Sequence, residues 1–151
     1  MSAIIEQALE ELRTLVECRE GMIKVRDNMD VINYLKLKLA AKTTEYFGLI
    51  LLSQQNKIIS MKEYEDGIEN RCHVYVKKIV REVLNTEATG VIFYHNHPSG
   101  NSSFSKADIV LTKTFKKVFD PLEIRVLDHI LVTRDLEYYS MNDLHLDVFC
   151  N

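Results

Sequence analysis

The stretch His95-Asn96-His97-Pro98-Ser99-Gly100, followed by Ser105 and Asp108, holds the residues of this chain best suited to chemistry. It reads His-x-His, seven residues, Ser, two residues, Asp. Alternate residues on a strand point the same way, so His95 and His97 would present two imidazoles to one side. Two neutral imidazoles plus one carboxylate form a three-ligand set that leaves a fourth zinc position open for water. An open position points to catalysis. Zinc brings the pKa of a bound water to about 7. A hydrolase also needs a carboxylate to take the water proton and hand it to the leaving group. Glu45 is the best candidate, at the start of the first apolar run beside Phe47 and Gly48. The Ser105 hydroxyl could donate to the developing oxyanion of a tetrahedral intermediate.

Each residue also has a structural reading. Ser105-x-x-Asp108 is a capping box, with Ser105 at the N-cap and Asp108 at the third helical position. Two alternate histidines on a strand are as often structural as metal-binding. Glu45 alone would be a solvated strand end. The joint pattern is far more specific than its pieces. Ser99, Ser102 and Ser103 fit a loop, and no Gly-x-Ser-x-Gly elbow surrounds them. Cys72 and His73 are neighbours on a segment read as extended, so they face opposite ways and form no dyad. A zinc deaminase is excluded, because its His-x-Glu and Pro-Cys-x-x-Cys pattern is absent.

The elements that must position these residues follow from periodicity. Gly90 to Tyr94 is a buried apolar strand leading into His95, ended by Pro98 and Gly100. Ser105 opens a helix with Ile109, Thr112, Phe115 and Phe119 on one face, stopped at Asp120-Pro121. Upstream, Ile4 to Arg19 has the spacing of an amphipathic helix. That helix is a candidate surface for homo-oligomer formation. Asp30 could cap a second helix carrying Val31, Tyr34, Leu35 and Leu39. Tyr46 to Leu52 and Ile58 to Met61 read as a hairpin, and Glu63 to Arg71 as loop or edge strand. Val76, Ile79, Val80, Val83 and Leu84 have helical spacing. Ile124 to Val132 and Tyr138 to Ser140 read as strands. An adjacent hairpin together with helix-separated strands predicts an α/β fold, a mixed β-sheet flanked by helices.

The whole chain has 151 residues and 46% hydrophobic content, which fits one globular domain with a real core. A net charge of −3 gives no bulk attraction to nucleic acid. Two local groups of cations, Arg71, Lys77, Lys78 and Arg81, then Lys113, Lys116 and Lys117, keep a nucleic-acid-associated factor as the competing function. No run approaches the roughly 20 apolar residues that span a bilayer, and the N-terminus lacks a signal-peptide pattern. Three widely spaced cysteines, Cys18, Cys72 and Cys150, argue for free thiols in a reducing, cytoplasmic setting.

The pattern Glu45, His95-x-His97, seven residues, Ser105, two residues, Asp108 resembles the JAMM (Jab/MPN) zinc metalloprotease motif. The surroundings resemble its RadC branch: His95-Asn96-His97-Pro98-Ser99-Gly100, Leu127-Asp128-His129-Ile130 and Tyr138-Tyr139-Ser140. The resemblance implies a cytidine-deaminase-like mixed-sheet fold for residues 28–151, preceded by residues 1–27 as helix and connector. It implies one Zn2+ per chain held by His95, His97 and Asp108, with Glu45 as general acid/base and Ser105 near the oxyanion. It implies hydrolysis of peptide or isopeptide bonds in a protein or peptide substrate. The alternatives are a DNA-associated repair factor and a binding module without turnover. Asp128 and His129 are family features, expected to support the site or the core and not to supply a fourth ligand. Two departures stand out. RadC-like chains carry an N-terminal helix-hairpin-helix region, where this sequence reads only as the Ile4 to Arg19 helix, so a DNA-repair role is expected to be weaker. Phe104 stands where the family has Pro, which is expected to alter the substrate groove.

Overall fold

The computed structural model describes residues 3–4, 6–8, 29–40, 42–65, 73–144 and 148–149. Helix α1 (Met29–Ala40) precedes strands β1 (Tyr46–Leu52) and β2 (Ile58–Glu65). Helix α2 (His73–Leu84), strand β3 (Gly90–His97) and helix α3 (Lys106–Phe119) follow. A 3-10 turn (Asp120–Leu122) leads to β4 (Arg125–Thr133) and β5 (Tyr138–Ser140). The five strands form one mixed sheet in the order β2-β1-β3-β4-β5. Only β3 and β4 run parallel; the other neighbours are antiparallel. A parallel pair needs a crossover, and α3 supplies it.

The central strands are apolar along nearly their whole length because both faces of the sheet are covered. On one face Phe47, Leu49 and Leu51 of β1 and Val91 and Phe93 of β3 meet Ile79 and Val83 of α2 and Phe115 and Phe119 of α3. On the other, Ile50, Leu52, Ile92, Tyr94, Ile130 and Val132 meet Tyr34, Leu35 and Leu39 of α1. Full burial of each such side chain contributes about 1.5–3 kcal/mol. Strand alternation then decides where the polar end of β3 points. His95 and His97 share the phase of Val91 and Phe93 and face the α3 side. Asn96 shares the phase of Ile92 and Tyr94 and faces the α1 side.

The α/β expectation of a mixed sheet flanked by helices holds. Two local expectations are corrected. Asp30 lies inside α1, not at its cap. His73 starts α2, so strand alternation does not govern it. Cys72 lies outside the described residues, as does most of the Ile4 to Arg19 segment; residues 3, 4 and 6–8 are helical. Strand β2 runs on to Glu65, and the remainder of the Glu63 to Arg71 segment lies outside the described residues. Among the described residues no helix is long and apolar enough to cross a membrane.

Candidate metal centre

The site forms where β3 ends and α3 begins. Pro98 and Ser99 turn the chain, and the Gly100 N–H donates to the His97 carbonyl at 3.1 Å. Gly100 has φ +85°, a left-handed backbone that glycine adopts without steric cost. This reversal carries the Asn101 carbonyl to 3.2 Å from His97 Nδ1. A carbonyl only accepts, so His97 Nδ1 donates and its Nε2 lone pair is left for the site.

Helix α3 is capped as a reciprocal box. The Ser105 hydroxyl oxygen accepts from the Asp108 N–H at 3.0 Å, and Asp108 Oδ2 accepts from the Ser105 N–H at 2.8 Å. The box locks the Asp108 side chain toward the end of β3. The same Oδ2 lies 3.2 Å from His95 Nε2 and 3.3 Å from His97 Nε2. A carboxylate oxygen has two lone pairs, so one can accept the backbone N–H while the other faces the imidazoles.

The two imidazole Nε2 atoms are 3.0 Å apart. Three electron-rich atoms therefore form a triangle with edges of 3.0, 3.2 and 3.3 Å. Ligands about 2.0–2.1 Å from a tetrahedral ion would lie about 3.3–3.4 Å from one another. The donor set fits a metal ion in both size and chemistry. His95 and Asp108 are fully buried, and the His97 side chain is 11% exposed. Burial by itself pulls the His97 pKa down. Hydrogen bonding and charge from Asp108, the Asn101 carbonyl and Glu45 outweigh it and hold the imidazole above its usual value. The centre attracts positive charge.

Glu45 stands just before β1, whose Phe47 pairs with His95. Its Oε1 lies 4.0 Å from His97 Nε2, and its side chain is 31% exposed. All four groups offer ligand atoms within 4.8 Å of one another. Glu45 is thus at the open rim of the triangle while the other three form its floor. Ser105 is exposed at the N-cap beside Asp108.

His129, on β4, is buried, and its Nε2 lies 2.7 Å from His95 Nδ1, on the far side of that ring from the triangle. Asp128 turns to the Ser140 hydroxyl and the Asn142 and His129 N–H groups. Phe104 packs on the imidazoles, with ring centroids 5.9 Å from His95 and 5.5 Å from His129. Sequence reasoning gave Asn96, Asn101 and Thr112 no part in the site, and placed Thr112 only on a helical face. A buried Asn between two histidines was a usable signal, because a buried carboxamide must find partners.

Residues 25–146 match the family described as the RadC-like JAB domain. The chain belongs to this family. A UPF0758 protein of Verminephrobacter eiseniae is 38% identical to this RadC-like domain over 132 residues, 86% of this chain and 54% of that protein. One from Chromobacterium violaceum is 37% identical over 130 residues, covering 86% and 55%. One from Vibrio cholerae is 35% identical over 129 residues, covering 85% and 80%. The RadC-like chain spans about half the length of the first two.

Proposed function

We propose that this RadC-like domain is a zinc-dependent hydrolase of peptide or isopeptide bonds. The observation that carries the reading is the triangle of His95 Nε2, His97 Nε2 and Asp108 Oδ2 with Glu45 Oε1 at its rim. His95, His97 and Asp108 would hold the ion. Zinc there would supply Lewis acidity, easing deprotonation of water and stabilising negative charge on a polarised carbonyl. Glu45 takes the proton from the attacking water and returns it to the leaving amine, so it acts first as base and then as acid. Its partial exposure leaves it in reach of water and of a substrate lying across the rim. Ser105 accepts from Asp108 N–H through its oxygen, which leaves its own proton to donate to an oxyanion.

The test combines metal analysis with cleavage of peptide and isopeptide-linked substrates. About one zinc per chain is expected, lost in His97→Ala. Glu45→Gln should keep the zinc and lower turnover by about 10²–10⁴-fold. A folded protein that takes up no zinc when supplied with it would overturn the proposal.

A further inference from the structure

We infer that Thr112 and His129 are positioning residues that select the tautomer of His95 and so aim its Nε2 lone pair into the metal triangle. The inference rests on the reading of His95 as a ligand.

The direction of each hydrogen bond follows from one proton. The Thr112 hydroxyl donates to the Asp108 carbonyl oxygen at 2.8 Å. A hydroxyl has a single proton, so toward His129 Nδ1, at 2.6 Å, Thr112 can only accept. His129 therefore carries a proton on Nδ1. With that ring neutral, its Nε2 is bare and accepts from His95 Nδ1–H at 2.7 Å. His95 then has its own proton on Nδ1 and a bare Nε2, the atom that meets Asp108 and His97. The chain starts at the backbone of the ligand residue Asp108 and ends at the ring of the ligand residue His95.

The surroundings favour this arrangement over a water-mediated one. His95, His129 and Thr112 are at most 1% exposed. Phe104, Phe47 and Phe93 ring the His129 imidazole at centroid distances of 5.5, 5.8 and 6.1 Å. A buried imidazole needs a partner for each nitrogen, and protein atoms meet both of those of His129. His97 reaches the same tautomer by a shorter route, through the Asn101 carbonyl. Partners of this kind fix ring orientation and raise ligand basicity.

Long-range 1H–15N correlation spectra of histidine-labelled full-length protein read the tautomers directly, at one fixed pH, with and without zinc. Wild-type His129 should show a protonated Nδ1 and a bare Nε2 in both states. Thr112→Val keeps the side-chain shape but removes the acceptor, so the His129 proton should move to Nε2. Zinc affinity, measured against a competing chelator, should then fall by about 10–100-fold. Thr112→Ser should restore both readouts. The inference is overturned if wild-type His129 is protonated on Nε2, or if either readout changes in Thr112→Val without the other. These tautomers in a protein that cleaves no peptide would count against the hydrolase reading alone.

Discussion

The Asn96 carboxamide oxygen accepts a hydrogen bond from the Tyr46 backbone N–H at 2.6 Å. The amide of the same side chain donates to the Thr44 carbonyl at 3.0 Å. The residue between the two clustered histidines thus grips the chain on both sides of Glu45. Strand alternation gives one tripeptide two tasks: His95 and His97 face the triangle, and Asn96 reaches through the other face to fix the carboxylate at its rim.

Replacing Asn96 by Ala should therefore uncouple Glu45, the proposed acid/base group, from the proposed metal ligands. The Tyr46 N–H loses its partner, at a cost of about 1–3 kcal/mol, read as a lower denaturation midpoint. Zinc content should stay near that of the wild type while turnover falls at least as far as a misplaced general base implies, about 10²-fold. Turnover that tracked zinc loss in this variant would show that Asn96 acts on the ligands and not on Glu45.

Ser105 caps α3 and is proposed to hold an oxyanion as well, and Ala alone cannot separate the two, since it removes the cap and the hydroxyl together. Glycine is a tolerable N-cap, weaker than Ser by only a few tenths of a kcal/mol, whereas Ala costs about 1 kcal/mol. Ser105→Gly should melt near the wild type yet lose turnover with zinc retained. Ser105→Thr, which keeps both hydroxyl and cap, should preserve activity. A fully active Ser105→Gly protein would reduce Ser105 to its cap.

The sheet and its helices were legible because period-two and helical spacing are written in Gly90 to Tyr94 and in Ile109, Phe115 and Phe119. The site was legible for the same reason: alternation alone sets His95 and His97 on one face, and a Ser-x-x-Asp box sets the start of α3. The hydrogen bonds that orient the site were not. Thr112 appeared as one more position on a helical face, and no local rule says that its hydroxyl meets a histidine 17 residues later. Asn96 bridges 50 residues to Tyr46. Such pairings arise only once β1, β3 and β4 are side by side. Phe104 was expected to alter the substrate groove; its half-buried ring lies against the His95 and His129 imidazoles, a contact that no spacing rule announced.

Gly48 is the point where the core admits no side chain. A Cβ there would lie 2.0 Å from the Tyr94 ring, on the neighbouring strand. Tyr94 is buried and donates its hydroxyl to Glu63, which also pairs with Lys38, so the ring has little room to retreat. Gly48→Ala should destabilise the fold by at least the roughly 1–3 kcal/mol typical of overpacking. Combined with Tyr94→Ala, it should cost less than the sum of the single changes, because the second change removes the clash. Additive denaturation energies would refute the contact as the cause.

Asp128 gives a pH signature from a carboxyl outside the four-residue cluster. Its burial pushes the carboxyl pKa up, and hydrogen bonds from Ser140, Asn142 and the His129 N–H only partly oppose this; Asp143 adds to the rise. The unfolded chain ionises this group near the ordinary Asp value of about 3.9. The folded protein holds the proton to higher pH, so in that window the native state binds more protons and stability falls as pH rises. The contribution is fully present below the unfolded pKa and lost once pH has passed the folded one. Asp128→Asn removes it at every pH. The stability of the variant relative to wild type should therefore improve from about pH 4 upward and level off above the folded pKa. Paired urea titrations across pH measure this directly, since other carboxylates cancel in the difference. The constant part reports hydrogen bonds lost to Asn, and only the slope reports the buried carboxyl. A relative stability that fell with rising pH would mean that the hydrogen bonds dominate and the native pKa is lowered.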